Sequence, residues 1–520
     1  ILNRKTFSEI ILNPKSGGRI NFALVYPNFY RVGMSNLGIH IIYDLLNAHK
    51  DIFCQRFFLD HIFSVENHFP LNKCQIIAFA VSFEPDYFNI LKILRESKIK
   101  PRADERTDFD PIIIAGGACA TFNPEPLSAI FDAFIIGEGE IILPNVVEVL
   151  KNNFYRSEKL EMLSNLPGVY VPSLKKSVKR QWVKNLNDFP AHSTILTDNA
   201  EFNMYLIEIA RGCGRHCRFC MAGYCFRRPR NRSIDVLKAE IASAKKFNKK
   251  IGLMGAAISD YPQIDELCAF INENNLKMSV ASFRADSVTA NLVNSLAKSG
   301  TKTLTIAPEV GSEKMRRVIN KGITEENVFN AVELGLKAGI KNFKLYFMIG
   351  LPFEDLNDVE AIADLTLRVK KYCKGRLTLS VNPFVPKPFT PFQWSPFAGK
   401  KYLEEALKIL RSSLKSVGGV EMLSESIKSA EIQAILARGD KKISEMLLQS
   451  ENQKDFIKNV GVDKEKYLRG FGLEENLAWD FLNQGFSKKY LIEELKRAEM
   501  LKITPRCSER CKKCGVCEVI

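Results

Sequence analysis

The sequence predicts an α/β protein in which two strand–helix domains precede a helical C-terminal region. In the first 150 residues, short continuous apolar runs alternate with segments of helical spacing, and such runs are typical of strands buried on both faces of a parallel sheet. Six more strand–helix units follow between residues 205 and 383. After the proline-rich stretch 382–391, whose rigid backbone precludes a regular helix, the spacing of apolar residues is helical.

The N-terminal pattern predicts a doubly wound, Rossmann-like domain. The predicted strands are residues 22–26, 76–81, 112–115 and 134–136, and the predicted helices are residues 38–47, 87–96 and 140–150. Ligands of such sheets bind beyond the carboxyl ends of the strands. Gly116, Gly117 and Gly137 fall at those ends, and glycine allows a ligand to approach the backbone closely.

The second domain carries the remaining predicted strands, and the region after it carries the predicted C-terminal helices. The strands are residues 205–210, 250–254, 278–282, 303–306, 343–348 and 377–381, and the helices are residues 402–417, 430–436 and 491–500. We therefore predict an N-terminal α/β domain over 1–175, a linker over 176–200, a second α/β domain over 201–395, a helical domain over 396–500 and a cysteine-rich tail over 501–520.

Length and composition describe a globular protein with several cores. The chain has 520 residues, of which 46% are hydrophobic and 26% charged, and a single core does not extend over so long a chain. No apolar run approaches the roughly 18 to 20 residues that span a membrane, and no signal-peptide pattern opens the sequence. We expect a cytoplasmic protein with no membrane partner.

The chain is basic, with 74 Lys and Arg against 59 Asp and Glu, a net charge of +15. This surplus is compatible with RNA binding, and a solvated lysine-rich surface would produce it equally well. The densest basic segment covers residues 227–232. We expect it near the active site, where anionic parts of a cofactor or substrate would lie, with a solvated face as the alternative.

Of the 13 cysteines, seven form two tight clusters, and clustered cysteines in a large intracellular-type chain indicate metal binding. Cys213, Cys217 and Cys220 follow a predicted strand at C-x3-C-x2-C spacing. Three thiolates from one loop would leave one iron of a four-iron cluster without a protein ligand. The alternatives are a zinc site that recruits Cys225 or His216 as its fourth ligand, and a set of buried free cysteines.

These three cysteines, with the aromatic Phe219 before the last, resemble the motif of the radical S-adenosylmethionine (radical SAM) enzymes. The resemblance implies that residues 201–395 form a partial (β/α)6 barrel of the TIM type. It also implies that SAM chelates the open iron of a 4Fe-4S cluster. An electron from a flavodoxin- or ferredoxin-like donor then cleaves the sulfonium to a 5'-deoxyadenosyl radical.

Four motifs at predicted strand ends are similar to motifs of the same family. By that resemblance, Gly255 lies in a turn that contacts the SAM amino group, and Ser282 and Arg284 suit the ribose and the carboxylate. Glu309 is then a partner of the ribose or of the substrate, and Gly350 lies in the last of the four motifs.

The N-terminal domain resembles the cobalamin-binding type of domain that precedes many radical SAM domains. The resemblance rests on residues 116–125, Asp132 and residues 137–140, and it implies that Gly116, Gly117 and Gly137 lie at the corrin. No histidine stands in an Asp-x-His-x-x-Gly motif, so residues 31–38 would face the lower side of the corrin. A retained fold with an empty or different pocket is the alternative.

The tail carries four more cysteines at x3, x2, x2 spacing. A second 4Fe-4S cluster and a structural zinc both fit four thiolates, and an unliganded tail is the third alternative. The ligands would be Cys507, Cys511, Cys514 and Cys517.

The resemblance covers nearly the whole chain and implies a radical SAM enzyme, most simply a transferase, acting on an unknown substrate with cobalamin as a candidate methyl carrier. A methylthiotransferase-like tRNA-modifying enzyme is the alternative, although its second cluster would need three cysteines such as Cys54, Cys74 and Cys119 at strand ends. An iron–sulfur scaffold or redox-sensing RNA binder is a third hypothesis. The sequence identifies no catalytic acid or base, and RNA is one of several substrate classes that it allows.

Overall fold

A computed structural model describes residues 7–508 and 511–518, which fold as two compact units. The first unit comprises the described residues up to Leu206 together with Ile435–Tyr467 and Asn476–Gly485. The second comprises Ile207–Ala434, Leu468–Glu475 and the described residues from Phe486 onward. Both units therefore take segments from the C-terminal third of the chain. The division of the chain into five segments stays a prediction.

The first unit is built on a six-stranded sheet with helices packed against it, which confirms the doubly wound prediction. The first five strands pair in parallel, and the sixth pairs antiparallel with the fifth. In spatial order the strands are Ile52–Phe58, Ile20–Tyr26, Ile76–Ala80, Ile112–Gly116, Ala133–Ile135 and Val169–Tyr170. The main helices of this part are Leu37–Ala48, Tyr87–Glu96, Gly139–Leu150 and Arg156–Ser164.

The sheet forms because its strands are almost wholly apolar, so both faces are buried under helices. The later segments of the first unit are joined to its N-terminal part by hydrogen bonds. The Asn123 side chain donates to the carbonyl oxygens of Ala437 and Gly439. The strand Leu482–Asn483 pairs in parallel with Val178–Lys179.

The second unit contains the predicted partial barrel. All six predicted strands are present, and a seventh, Val420–Ser424, pairs in parallel with the sixth. Beyond the end of the third strand, Phe283 forms an isolated bridge with Ile306 of the fourth strand. The seven strands are Met204–Glu208, Lys250–Met254, Met278–Ser279, Thr303–Glu309, Asn342–Ile349, Leu377–Pro383 and Val420–Ser424.

Helices alternate with these strands, as a barrel of this type requires. Those between the strands are Ile234–Ala244, Ile264–Glu273, Ala290–Lys298, Glu313–Val318, Glu325–Lys337, Leu356–Tyr372 and Lys400–Leu414. The helical C-terminal region is also confirmed, with helices Ile427–Arg438, Lys441–Leu448, Gln453–Val460, Lys464–Leu468 and Lys488–Glu499. Within the residues that the structure describes, no helix is long and apolar enough to cross a membrane.

Candidate active site

The C-x3-C-x2-C segment forms a loop between the short strand Ala210–Arg211 and the helix Met221–Cys225. The loop begins at Gly212, where φ is +79° and a Cβ atom would lie 2.2 Å from the Phe226 carbonyl oxygen. Only glycine fits such a turn. Cys217 is buried, whereas Cys213 and Cys220 are partly exposed, and the Cys220 amide donates to the Cys217 carbonyl oxygen at 3.1 Å.

Arg218, inside this loop, is fully buried and anchors it to distant parts of the unit. Its Nε donates to Glu494 Oε2 at 3.1 Å, which ties the loop to the helix Lys488–Glu499. The two Nη atoms donate to the carbonyl oxygens of Arg317, Val318 and Lys502 at 2.7 to 2.9 Å. The loop is therefore held rigidly from several sides.

Asn320 provides a second brace. Its Nδ2 donates to the carbonyl oxygens of Arg215 and His216 in the cysteine loop and of Thr504 near the C-terminus, at 3.1 to 3.3 Å. The Thr504 amide donates back to Asn320 Oδ1 at 2.8 Å. One buried amide thus joins the loop to the segment that leads into the C-terminal cysteines.

Cationic and acidic side chains surround the thiols. Arg284, one of the predicted SAM-binding residues, places Nη1 at 3.7 Å from Cys217 Sγ and donates from Nε to Asp286 at 3.1 Å. Burial is the main cause that raises the pKa of Cys220 to about 12, and the neighbouring Cys217 adds to it. Because metal ligation requires thiolates, filling this site would release protons.

Lys321 links two residues that the sequence motifs had indicated separately. Its Nζ lies 2.8 Å from Glu309 Oε1 and 6.0 Å from the centre of the Phe219 ring. Glu309 ends its strand with φ at +70°, a left-handed conformation that aims its side chain away from the regular strand path. Lys321 was not predicted from the sequence, because no motif marks a lysine that lies 12 residues beyond its partner.

The remaining predicted SAM-binding residues lie at strand ends. Gly255 is exposed, and a Cβ atom there would lie 3.1 Å from the Ala210 carbonyl oxygen. Ser282 is partly buried in the loop after the third strand. Gly350 has φ at +79°, and a Cβ atom would lie 2.8 Å from Ala398 Cβ. Close packing inside the unit accounts for Gly255 and Gly350. The cofactor role of Gly255, Ser282 and Gly350 stays a prediction.

The glycines at the sheet edge of the first unit also have internal reasons to be glycine. A Cβ atom at Gly117 would lie 2.6 Å from the Val81 carbonyl oxygen, and one at Gly137 would lie 2.0 Å from the Gln181 carbonyl oxygen. At Gly116 a Cβ atom would make only ordinary contact. Close approach of backbone to backbone thus accounts for Gly117 and Gly137. The role of Gly116, Gly117 and Gly137 in binding a corrin stays a prediction.

The topology of the first unit marks a further place where a ligand could bind beyond the strand ends. The strand order reverses beside Ile20–Tyr26, because the next strand along the chain lies on one side and Ile76–Ala80 on the other. Ligands bind at such a switch point. The two loops there carry the exposed rings of Phe29 and Phe83, and Asn28 donates to Asp86 at 2.8 Å. Burial raises the pKa of Asp86 to about 6.

The basic segment at residues 227–232 is largely buried. Arg227, Arg230 and Arg232 are between 2% and 8% exposed, which excludes the solvated-face alternative for these three. Arg232 pairs with Glu208 at 3.0 Å. Arg227 donates to the Tyr490 hydroxyl at 3.2 Å and to His216 Nδ1 at 3.1 Å.

His216 is buried at the centre of this network. Its Nδ1 accepts from Arg227 and from the Tyr490 hydroxyl, so a neutral ring carries its proton on Nε2. That nitrogen has no hydrogen-bond partner among the described residues. Burial, followed by the charge of Arg227, lowers the pKa of His216 to about 3.

The C-terminal cysteines reach the same region. Cys507 donates its amide to the Gly214 carbonyl oxygen at 2.8 Å, and Cys514 is buried. In the conformation of the described residues, no three Cys, His, Asp or Glu side chains converge closely enough to hold a metal ion. The donor set of three thiols in a braced loop still matches an iron–sulfur cluster in chemistry and in sequence spacing.

Comparison with known families covers most of the chain. Residues 38–172 match the family model for radical SAM proteins, N-terminal, and residues 207–366 match the radical SAM superfamily. An uncharacterised protein of Methanocaldococcus jannaschii, MJ0966, is 35% identical over 473 residues, which are 88% of this chain and 98% of that protein.

More distant relatives match about half of the chain. An uncharacterised methyltransferase of Pyrococcus horikoshii, PH0819, is 24% identical over 54% of this chain. A tRNA-2-methylthio-N(6)-dimethylallyladenosine synthase of Natranaerobius thermophilus is 22% identical over 50%. The chain spans only 63% and 59% of these two proteins.

Solved structures share the fold at low sequence identity. The methyltransferase TsrM of Kitasatospora setae with cobalamin and a [4Fe-4S] cluster bound has a TM-score of 0.50 at 12% identity, covering 93% of this chain and 100% of that one. The enzyme OxsB with aqua-cobalamin and SAM bound has a TM-score of 0.50 at 14% identity, covering 93% and 79%.

Proposed function

Since the chain belongs to the radical SAM superfamily, we propose that it cleaves SAM reductively at a four-iron cluster held by Cys213, Cys217 and Cys220. The observation that carries the proposal is the braced loop that holds these three cysteines, with the Cys217 thiol beside Arg284. When bound, the cluster supplies one-electron reduction of a sulfonium at an iron with no protein ligand. We expect the electron to come from a flavodoxin- or ferredoxin-like donor.

The residues around the thiols would bind and orient SAM. Arg284 and Ser282 offer a guanidinium and a hydroxyl for the carboxylate and ribose. Glu309, held by Lys321, offers a carboxylate to a ribose hydroxyl or to the substrate. Phe219 packs against a cluster of buried apolar side chains in the same unit, which favours exclusion of water from the reacting atoms.

We propose further that the reaction is a methyl transfer that uses cobalamin bound in the first unit. The shared fold with TsrM and OxsB supports the choice, because those structures contain cobalamin. The crevice at the strand switch point supports it independently, since two exposed aromatic rings beside it offer an apolar surface to a flat macrocycle. The substrate stays unassigned, and RNA is one candidate.

SAM cleavage is tested with Cys217→Ala, and Cys268→Ala is the matched control because Cys268 is a buried cysteine in the helix Ile264–Glu273. With dithionite, Cys217→Ala should form no 5'-deoxyadenosine or S-adenosylhomocysteine, whereas the control should match the unmodified protein. Product formation by Cys217→Ala at the normal rate would refute the proposal.

Cobalamin binding is tested with the double variant Phe29→Ser, Phe83→Ser. Phe109→Ser is the control, since Phe109 is fully exposed just before the strand Ile112–Gly116, at the opposite edge of the sheet. After reconstitution with hydroxocobalamin and gel filtration, the double variant should retain less corrinoid than the control, measured by visible absorbance. If the unmodified protein retains none, cobalamin has no place in the reaction.

The methylthiotransferase alternative is supported by partial matches to a putative methylthiotransferase and to tRNA-modifying synthases. It would need three cysteines of the first unit around a second cluster. Cys54 lies in a strand, Cys74 follows a single 3-10 turn and Cys119 lies in a short helix, all buried.

A further inference from the structure

The two cysteine clusters of the second unit meet through a backbone contact. The Cys507 amide donates to the carbonyl oxygen of Gly214, which directly follows Cys213. A Cβ atom at Gly214 would lie 3.2 Å from Cys507 Cβ, so the missing side chain leaves room for this approach. A path of covalent bonds and one hydrogen bond therefore connects the thiol of Cys213 with that of Cys507.

The thiols of the C-terminal segment lie close to one another and to positive charge. A side-chain hydrogen bond joins Cys507 and Cys511, and Cys514 is close enough for its charge to act on Cys507. Arg227, buried and held by the Gly223 carbonyl oxygen at 3.1 Å, acts in the opposite direction. A buried guanidinium beside thiols compensates the negative charge that a tetrathiolate site carries.

A buried donor without an acceptor lies beside this segment. His216 is 2% exposed, and its Nε2 has no hydrogen-bond partner among the described residues. Lys513, which lies between Cys511 and Cys514, is close enough for its charge to act on the His216 ring. Buried donors are normally satisfied, and a metal-bound sulfur is an acceptor that would satisfy this one.

The spacing of the four cysteines favours iron over zinc. Zinc sites of this size usually take two close pairs from segments separated by a dozen or more residues. A compact run in which three cysteines repeat at x2 is typical of four-iron clusters. Here all four cysteines fall between residues 507 and 517. In the described residues no three side chains converge on one point, so loading requires them to rotate into other staggered positions.

We propose that Cys507, Cys511, Cys514 and Cys517 hold a second four-iron cluster that passes electrons to the cluster on the Cys213–Cys220 loop. A low-potential one-electron donor of the ferredoxin or flavodoxin class reduces the second cluster from the 2+ to the 1+ state. The second cluster returns to 2+ as it reduces the first from 2+ to 1+. This inference rests on the proposed function, since it needs the first cluster as the electron acceptor.

Metal content of the full chain separates the two hypotheses. Reconstituted anaerobically, the unmodified protein should hold about eight iron atoms, and the variants Cys217→Ala and Cys511→Ser/Cys514→Ser should each hold about four. Cys268→Ser is the control and should hold about eight. If the proposed function is wrong, Cys217→Ala keeps all the iron of the unmodified protein. One zinc per chain, or iron unchanged by Cys511→Ser/Cys514→Ser, overturns the inference alone.

The rate at which the first cluster is reduced distinguishes an electron relay from a purely structural site, because loss of a structural site would not change that rate. With reduced flavodoxin as donor, the first cluster of Cys511→Ser/Cys514→Ser should be reduced at least tenfold more slowly than in the unmodified protein, followed by its electron paramagnetic resonance signal. With titanium(III) citrate, a small reductant that reaches the first cluster directly, the two proteins should be reduced to the same extent. Equal rates with flavodoxin would overturn the relay.

Discussion

Replacing Arg218 with methionine tests whether the cysteine loop is held by its buried brace. Methionine fills a similar volume, but it removes every hydrogen bond that the guanidinium donates to Glu494, Arg317, Val318 and Lys502. Removing one partner of a buried ion pair costs about 3 to 5 kcal/mol. Glu494 keeps the hydrogen bond from the Thr504 hydroxyl, which places the expected loss near the lower value, about 3 kcal/mol.

Anaerobic urea unfolding, followed by the iron–sulfur absorbance and by circular dichroism, measures this loss. Arg317→Met is the control, because Arg317 is exposed and its pair with Glu313 is worth at most about 0.5 kcal/mol. The double variant Arg218→Met/Glu494→Met should recover the part of the loss that the unpaired Glu494 carboxylate causes, since well-packed apolar residues replace a buried pair at little cost. The carbonyl oxygens of Arg317, Val318 and Lys502 still lack their donor in that variant. The brace is disproved if Arg218→Met lies within about 1 kcal/mol of the unmodified protein.

Two further predictions concern the burial of one carboxyl group and the close packing of one glycine. Burial raises the pKa of Glu354 to about 7 from 4.5, so the folded state binds the proton more tightly and stability falls as the pH rises from 4.5 to 7. Glu354→Gln has no carboxyl group to titrate, so its free energy of unfolding should fall by up to about 3 kcal/mol less between pH 5 and pH 8 than that of the unmodified protein. The prediction is contradicted if the difference in urea midpoint between the two proteins is the same at both pH values. Gly137→Ala should cost at least about 2 kcal/mol, because φ is +127° and the Gln181 carbonyl oxygen blocks the new methyl. Gly300→Ala, at φ +82° in open space, should cost only about 1 kcal/mol in the same unfolding measurement, and similar costs would show that the clash is relieved.

Most strands of the two large α/β regions were predictable because their own residues form a recognisable apolar run. Ile112–Gly116 is apolar throughout and buried, and Asn342–Ile349 and Leu377–Pro383 contain mostly apolar residues between turn signals. Val420–Ser424 was missed because its residues are partly or largely exposed at the edge of the sheet, so it has no apolar run. Ile52–Phe58 was missed although it is buried throughout, because the polar Gln55 and Arg56 interrupt its apolar residues. The sequence pattern reports unbroken apolar runs, and a strand that lacks one leaves little trace.

The braces of the site could not be predicted, because their partners are far away in sequence. Arg218 meets Glu494 across 276 residues, and an arginine between two cysteines looks like any solvated loop residue. The basic segment was expected near the active site, and Arg227 does donate to His216 of the cysteine loop. No local pattern shows that Arg227, Arg230 and Arg232 are buried. Gly117 and Gly137 were correctly marked as special, but the backbone they approach is the protein's own.

The cysteine loop depends on the whole second unit rather than on the segment that carries the family motif. The match to the radical SAM superfamily covers residues 207–366, yet Glu494, Tyr490 and Thr504, which hold the loop through Arg218, His216 and Asn320, lie beyond it. The same C-terminal segment continues into Cys507 and contacts the loop at Gly214. Any change that loosens the helix Lys488–Glu499 should therefore disturb the three thiols and the C-terminal cysteines together, because both sets are positioned by that one helix and the segment following it.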